Sequence, residues 1–512
     1  MVKDKFLSIH CHFYQPPRED AWTGEINIQP SSAPFHDWNE RIFQECYKPN
    51  SNAVIVDDYD NVIDRVNNYE FFNFNFGPTL LHWIKKHHPK TYENIIEADR
   101  LSVKKYNGHG NAIAMVYNHI IMPLAKRQDK ITQVHWGIRD FIYHFHRAPE
   151  GIWLPETACN NETLDVLIDF GFKYIILDPS QASNIRKIKK GRWKNVLGGK
   201  IDPKEPYRCY RDYETNKFID IFFYDGPLSR NIAFDDHIYE GKKLLDRLLR
   251  CIDKERTGNQ LVSAAIDGET FGHHKQFSDR TLAYLFKELI KDSEFEITNL
   301  GYYLEKNPPK NEVKIYEGED GEGTSWSCLH GVGRWKVNCG CSGGGEEGWN
   351  QEWRTPLRDA LNFLNDECFK IYSDISHYFF KDPLHARNDY IEIILNPDLK
   401  TIEEYFYFNA KKYLNSEESS YCIKLLEMQK YCQLMFTSCG WFFSDISGIE
   451  TIQILQYAAR AIELTRDVSG IDLENEFLKI LENAVSNKID EINGKEIYLK
   501  NFSKKIPDRL LV

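Results

Sequence analysis

Two acidic residues follow apolar, strand-like segments and could act as a catalytic pair. Glu156 comes shortly after the apolar residues 151–154, and Asp267 comes directly after 261–266. A carboxylate is rarely placed at the end of a buried strand unless it is paired or functional. Cleavage of a glycosidic bond needs one carboxylate as nucleophile or base and one carboxylic acid as proton donor. Glu156 and Asp267 are therefore our candidate catalytic residues, and the donor needs a pKa raised by burial or by its partner's charge.

A second group of candidates begins in the segment HCHFYQPP. In an extended chain His10 and His12 lie on the same side, so both imidazoles could hydrogen-bond a substrate hydroxyl or ligate a metal. Gln15 follows in the same segment. A His-x-His after the first strand is also typical of amidohydrolases. A metal-dependent amidohydrolase or polysaccharide deacetylase, to which His273 or His274 could add a ligand, therefore stays an open alternative.

The remaining candidates for substrate binding stand beside other strand-like or glycine-rich segments. They are His119, Trp153, Asp225, Glu269 and His273.

Three cysteines and a histidine form C-x-H and C-x-C pairs further along the chain. Cys328, His330, Cys339 and Cys341 could bind zinc in principle, but their spacing fits no standard zinc module. We interpret them as ordinary thiols and expect no metal and no cofactor.

The elements that position these residues alternate between strands and helices over the first three hundred residues. Short apolar runs at 6–10, 71–76, 151–154, 173–177, 218–224 and 261–266 predict strands. Helical patterns at 79–86, 132–146, 162–170 and 242–253 lie between them. This alternation predicts a parallel sheet with helices outside, in which active sites gather at the C-terminal strand ends.

The sequence changes character after the motif KNPPK, so we predict domains over residues 1–310 and 311–512. Residues 318–348 hold ten glycines among several tryptophans, which predicts an ordered functional loop rather than a helix. Helical patterns at 402–414, 416–434, 448–466 and 473–486 follow. The C-terminal third is therefore predicted to be all-α.

Composition excludes some partners and favours a compartment. The net charge of −12 argues against a nucleic-acid coat and gives no reason to expect anionic membranes. The N-terminus lacks a signal-peptide pattern, no run approaches ~20 apolar residues, and the twelve cysteines are scattered. We expect a cytoplasmic protein with free thiols. The oligomeric state is left open by the sequence.

The motifs resemble glycoside hydrolase family 57, in a subgroup whose C-terminal domain has no assigned function. HCHFYQPP resembles the family's first region, GNAIAMVYNHIIMP its second, WLPETA its third, DGETFGHH its fourth and TSCGWFFSD its fifth. The resemblance implies an incomplete (β/α)7 barrel followed by a helical domain. It also implies that Glu156 is the nucleophile and Asp267 the acid/base residue.

The family's chemistry implies a retaining hydrolase or transglycosidase that acts on α-glucans, of amylase, 4-α-glucanotransferase or branching type. His10, His12, His119 and His273 would hold sugar hydroxyls of an oligo- or polysaccharide. Trp153 and Trp441 would stack on sugar rings or shape the pocket, and the loop 324–353 could form a lid. A non-catalytic carbohydrate sensor is a further alternative.

Overall fold

The computed structural model describes residues 4–503, which contain fourteen β-strands, nineteen α-helices and several short 3-10 and π turns. The strands are β1 (Lys5–Phe13), β2 (Ala53–Val56), β3 (Val62–Val66), β4 (Asn73–Phe76), β5 (Ala114–Met115), β6 (Gly151–Trp153), β7 (Tyr174–Leu177), β8 (Ala182–Lys187), β9 (Lys190–Asn195), β10 (Tyr207–Asp212), β11 (Lys217–Phe223), β12 (Gln260–Asp267), β13 (Phe295–Ile297) and β14 (Asn311–Ile315).

The helices divide into a first set between the strands and a second set after them. The first set is α1 (Trp38–Ile42), α2 (Lys48–Asn50), α3 (Pro78–His87), α4 (Pro89–Lys105), α5 (Arg127–Phe145), α6 (Asn161–Asp169), α7 (Gly226–Phe234), α8 (Gly241–Leu249), α9 (Ser278–Tyr284) and α10 (Leu300–Lys306). The second set is α11 (Arg354–Ser376), α12 (Pro383–Asp389), α13 (Ile391–Leu395), α14 (Leu399–Asn409), α15 (Ser416–Leu434), α16 (Cys439–Phe442), α17 (Ile449–Ser469), α18 (Glu474–Leu481) and α19 (Gly494–Phe502).

The described chain divides into two compact units that are not contiguous in sequence. The first unit comprises residues 4–15, 27–116 and 141–326, and it contains all fourteen strands. The second comprises 16–26, 117–140 and 327–503. The change in sequence character at residue 310 precedes β14, which pairs with β10 and β8 within the first unit.

Seven parallel strands of the first unit form an incomplete (β/α)7 barrel, which confirms the predicted fold class. β1 pairs in parallel with β12 and β4, and a parallel bridge joins Phe74 of β4 to Ala112, two residues before β5. β5, β6, β7 and β11 then follow as parallel neighbours. Among the described residues β11 and β12 are not paired as strands. The Asp225 amide, two residues after β11, donates to the carbonyl of Ser263 in the middle of β12.

The barrel core is built from alternate residues of neighbouring strands, as expected for side chains that point to one face. Its members include Met115, Trp153, Ile176, Phe222 and Ala265, which are all buried. The apolar runs seen in the sequence therefore fill the barrel. The polar residues at the strand ends are left to form the site.

The second unit is helical. α15 packs against α17 and α11, and α11 also packs against α18. Asn415 caps α15 with a capping box completed by Glu418, and Gly470 ends α17 in the left-handed region with φ 72°. Among residues 4–503 no helix is both long and apolar enough to cross a membrane.

Candidate active site

Glu156 lies in a strained turn just beyond the C-terminal end of β6. Its φ is 57°, and that of the next residue, Thr157, is 49°, so two consecutive non-glycine residues adopt the left-handed region. Such conformations cost about 1–3 kcal/mol each and persist where the surrounding structure enforces them. The Thr157 amide donates to the Leu154 carbonyl and thereby closes the turn. The strain fixes the direction in which the half-buried Glu156 side chain leaves the strand.

Trp326 holds both the backbone and the carboxylate of Glu156. Its indole Nε1 donates to Glu156 Oε2 at 3.0 Å, and its amide donates to the Glu156 carbonyl at 3.0 Å. The preceding Thr324 exchanges two backbone hydrogen bonds with Cys159. The start of the glycine- and tryptophan-rich segment is therefore anchored to the turn that carries Glu156.

Asp267 ends β12, and its side chain is exposed at the strand end. The pKa of Asp267 is raised to about 7. Loss of hydration is the larger cause of this shift, and the negative charge of Glu156 is the smaller one. Protein atoms surround the carboxyl group although its side chain is exposed, and they take away part of its hydration. A carboxyl group with this pKa is partly protonated at neutral pH and can donate a proton.

One asparagine side chain joins the two histidines of β1. His12 lies between Asp267 and Asn75 in the register of the three strands. His10 Nε2 lies 3.1 Å from Asn75 Oδ1, and Asn75 Nδ2 lies 2.9 Å from His12 Nδ1. Burial lowers the pKa of each histidine to about 3, so both rings are neutral. Neutral rings can exchange hydrogen bonds with sugar hydroxyls without adding charge to the site.

Trp153 supports the two histidines from one side. Its ring stacks on His10 with a centroid distance of 4.8 Å and on His12 with one of 5.1 Å. The ring of Trp326 meets it edge-on at 5.1 Å. Trp153 is fully buried, so it shapes the pocket by packing and offers no open face to a sugar ring.

Glu269 follows Asp267 by two residues and is buried. Its Oε1 accepts a hydrogen bond from the Tyr47 hydroxyl at 2.6 Å and one from the Tyr14 amide at 2.9 Å. Burial is the main cause that raises its pKa to about 8. These contacts make Glu269 a positioning residue that ties the end of β1 to the end of β12.

Three further candidates lie in the first unit with partners of their own. Asp225 caps α7 by accepting from the Leu228 amide. His273 Nδ1 is hydrogen-bonded to Glu45 Oε2, and its ring is half-buried. Gln15 is buried, and its Nε2 donates to the Tyr14 carbonyl.

The two remaining candidates belong to the second unit. His119 is buried with φ 55°, and its Nδ1 lies 2.6 Å from the Ser438 hydroxyl. Trp441 is fully buried, and the guanidinium of Arg358 lies 3.9 Å from its ring centroid. Within its unit Trp441 is therefore a packing residue with no open face.

Some residues of the site were missed by sequence reasoning. Asn75 was one of them, although Asn73 and Asn75 alternate in an otherwise apolar strand, FNFNF, and that pattern is a usable signal. The Tyr224 hydroxyl donates to Asp178 Oδ2 at 2.5 Å; Asp178 follows the predicted strand 173–177, and Tyr224 ends the predicted strand 218–224. The contact from Trp326 to Glu156 spans 170 residues of sequence and has no local signal.

The metal-hydrolase alternative needs further ligands close to His10 and His12. Residues 4–503 contain groups of three or more His, Cys, Asp or Glu side chains whose ligand atoms lie within 4.8 Å of one another. Neither His10 nor His12 belongs to such a group. Their ring nitrogens instead contact Asn75. The described residues around His10 and His12 therefore do not supply the further ligands of a metal site.

A parallel barrel with two carboxyl groups at its C-terminal strand ends is the architecture of a glycoside hydrolase. Residues 2–316 match the model of glycosyl hydrolase family 57, and the chain belongs to this family. Residues 349–509 match a domain of unknown function, DUF3536. Both findings confirm the family and subgroup expected from the motifs. A comparison with curated proteins gives no match.

Solved structures with the same fold include three enzymes. An exo-type maltose-forming amylase from Pyrococcus sp. ST04 is 15% identical with a TM-score of 0.67, over 93% of this chain and 82% of that one. A branching enzyme from Pyrococcus horikoshii is 15% identical with a TM-score of 0.55, over 96% of each chain. A 4-α-glucanotransferase from Thermococcus litoralis is 14% identical with a TM-score of 0.53, over 91% of this chain and 60% of that one.

Proposed function

We propose that this protein is a retaining glycoside hydrolase or transglycosidase that acts on α-glucans. The observation that carries the proposal is the pairing of Glu156 with Asp267, whose pKa is raised to about 7 by lost hydration and by the charge of Glu156. Two carboxyl groups in different protonation states are what a double displacement requires.

In the first step the Glu156 carboxylate attacks the anomeric carbon, and the glycosidic C–O bond breaks. Asp267 gives its proton to the departing oxygen, so the leaving sugar departs as an alcohol. In the second step a water or a sugar hydroxyl attacks the same carbon. Asp267 takes the proton of this incoming group, and Glu156 is released as a carboxylate.

The neutral histidines support binding of the sugar next to these carboxyl groups. A positively charged imidazole would favour the deprotonated form of Asp267 and weaken it as a proton donor. The low pKa of His10 and of His12 avoids that effect. His12 is the direct neighbour of Asp267 across the β1–β12 pairing, so it is our candidate for a hydrogen bond to a hydroxyl near the cleaved bond.

The α-glucan substrate is inferred from family membership and from the activities named for the similar structures. These are a maltose-forming amylase, a branching enzyme and a 4-α-glucanotransferase. We also propose a cytoplasmic location, which is supported by the twelve free cysteines.

The decisive experiment incubates the purified protein with maltoheptaose and amylose and resolves the products by size. Shorter products alone indicate hydrolysis, and shorter together with longer products indicate transfer. Proton NMR of the first product tests retention, because a retaining enzyme acting on an α-linkage releases the α-anomer first. Glu156→Gln should abolish turnover, while the control Glu255→Gln, at an exposed glutamate, should leave it unchanged.

If neither maltoheptaose nor amylose yields a product, the α-glucan assignment is overturned. The sensor alternative predicts sugar binding without turnover that is unaffected by Glu156→Gln. The metal-hydrolase alternative predicts activity that is lost with a chelator and restored by a divalent metal.

A further inference from the structure

Four side chains that the proposed chemistry does not use come together within residues 328–341 of the second unit. One ligand atom from each of Cys328, His330, Cys339 and Cys341 lies within 4.8 Å of the other three. The Sγ atoms of Cys328 and Cys339 are 3.9 Å apart. Cys341 Sγ lies 3.6 Å from His330 Nδ1.

These distances fit the edges of a zinc tetrahedron. In a tetrahedral site, Zn–S bonds are about 2.3 Å long and Zn–N bonds about 2.1 Å. Two sulfur ligands are then about 3.8 Å apart, and a sulfur and a nitrogen ligand are about 3.6 Å apart. The Cys328–Cys339 and Cys341–His330 distances lie close to these values, and the other four ligand-atom distances are within 4.8 Å. A disulfide, in contrast, requires an S–S distance of about 2.0 Å.

Glycines let the two ligand pairs approach each other. Gly340, between Cys339 and Cys341, adopts the left-handed region with φ 78°. A Cβ on Gly333 would lie 3.3 Å from the Cβ of Cys339 and 3.5 Å from the Cβ of His330. The backbone at Gly333 therefore fills the space between the C-x-H and C-x-C pairs, and a larger residue there would push them apart.

A buried cation beside the cluster calls for negative charge. Arg354 is fully buried, and its Nη1 contacts Cys339 Sγ at 3.7 Å. Among residues 4–503 the guanidinium contacts Cys339 Sγ, the Phe443 carbonyl and the Trp353 ring, and none of these partners is a carboxylate. Zinc bound by three thiolates and a neutral imidazole carries a net charge of −1. Such a site supplies the counter-charge that a buried guanidinium needs.

We propose that Cys328, His330, Cys339 and Cys341 bind a structural zinc ion. The four protein ligands leave no open position, which is the arrangement of a structural rather than a catalytic site. Binding displaces the thiol protons and fixes the segment as one unit. The sequence alone predicts ordinary thiols here, because its spacing does not show how close the C-x-H and C-x-C pairs lie. The fold brings the two pairs together. It does not depend on the proposed activity.

The test measures metal in the full-length protein purified in reducing buffer without chelator. Mass spectrometry of the metals should find a single zinc ion per chain. His330→Ala and Cys341→Ser should lose most of the zinc while the protein stays folded, because His330 is exposed and Cys341 only half-buried. Cys251→Ser, at a half-buried cysteine outside the cluster, is the matched control and should keep it.

Cobalt gives a readout of the geometry. After removal of zinc, Co²⁺ should produce the intense visible bands of a tetrahedral thiolate site, and Cys339→Ser should abolish them. Absence of zinc together with absence of these bands in the fully reduced protein would overturn the proposal. Equal zinc content in wild type, His330→Ala and Cys341→Ser would overturn it as well, since the metal would then lie elsewhere.

Discussion

Asp267 and Glu156 carry the same functional group, but their surroundings differ. Glu156 accepts a hydrogen bond from the Trp326 indole. The pKa of Asp267 is raised to about 7 by lost hydration first and by the charge of Glu156 second. At neutral pH Asp267 is therefore partly protonated, which suits an acid that faces a nucleophile.

The raised pKa predicts the pH dependence of cleavage. The acid form of Asp267 is lost as the pH rises through about 7, so kcat/KM on maltoheptaose should fall on the alkaline side with an apparent pKa near that value. Asp267→Asn should lower this activity about 10²- to 10⁴-fold. The measurement is kcat/KM between pH 5 and 9.

A substrate that needs no proton donor provides the control for the role of Asp267. With an α-maltosyl fluoride, Asp267→Asn should still release the first fluoride at a rate close to that of the wild type. Asp58→Asn, at an exposed aspartate, should behave as wild type with both substrates. An equal loss on the fluoride and on maltoheptaose would show that Asp267 is not the acid.

The indole of Trp326 predicts a positioning effect on Glu156. Trp326→Phe keeps the aromatic packing against Trp153 but removes the donor to Glu156 Oε2. A hydrogen bond to a charged group contributes about 1.5–3 kcal/mol, so kcat should fall roughly 10- to 100-fold. KM and the melting temperature should change little. Trp193→Phe, the same substitution at another tryptophan of the first unit, is the control and should have no effect on kcat. A similar fall in kcat for Trp193→Phe would contradict the positioning role of Trp326.

At the scale of elements, the ends of β1 and β12 meet so closely that only glycine fits after Asp267. A Cβ on Gly268 would lie 2.2 Å from Cε1 of Phe13. Gly268→Ala should therefore destabilise the protein by about 1–3 kcal/mol and reduce activity, because Asp267 moves with the strand end. Gly226→Ala is the control, since its Cβ would make ordinary contacts with Pro179. Urea unfolding and the maltoheptaose assay measure both effects, and equal stability of the two variants would contradict this packing argument.

The sequence predicts the barrel strands better than the rest of the sheet. Six of the seven parallel strands have apolar runs that mark them. The seventh, Ala114–Met115, has two residues and gives no periodicity. β9 (Lys190–Asn195) was missed because it is mostly exposed and polar. Local patterns identify strands buried on both faces, and they fail where a strand is short or solvated.

The site residues fall into the same two groups: some are marked by a local sequence pattern, and others depend on contacts between distant segments. Glu156, Asp267, His10 and His12 stand at strand ends, and the sequence marks them directly. The hydrogen bond from Trp326 depends on a contact that only the fold creates. Trp153 and Trp441 are expected to stack on sugar rings or to shape the pocket. Their full burial is a property of packing, which residue type alone does not reveal.

At the scale of the whole molecule, the second unit includes segments that lie far upstream of its helices in the sequence. Trp22 Nε1 donates to Glu463 Oε2 at 2.7 Å, and the Tyr431 hydroxyl donates to the Ala21 carbonyl at 2.8 Å. The sequence places 16–26 and 117–140 inside the predicted barrel domain, and it contains no local sign that they pack with the C-terminal helices. The predicted domains 1–310 and 311–512 therefore differ from the two compact units.

This organisation predicts that residues 327–512 do not fold as an isolated fragment. Arg387 is 1% exposed and forms an ion pair with Asp129 at 2.9 Å, while Gln433 Nε2 donates to the same carboxylate. A buried charge that loses its partner costs about 3–5 kcal/mol, and the fragment lacks Asp129 altogether. The fragment should show no cooperative thermal transition by circular dichroism and should be digested quickly by protease. In the full chain, Asp129→Asn should lower the melting temperature, whereas Asp58→Asn should not. A fragment that melts cooperatively at the temperature of the intact protein would mean that the upstream segments contribute contacts but not stability.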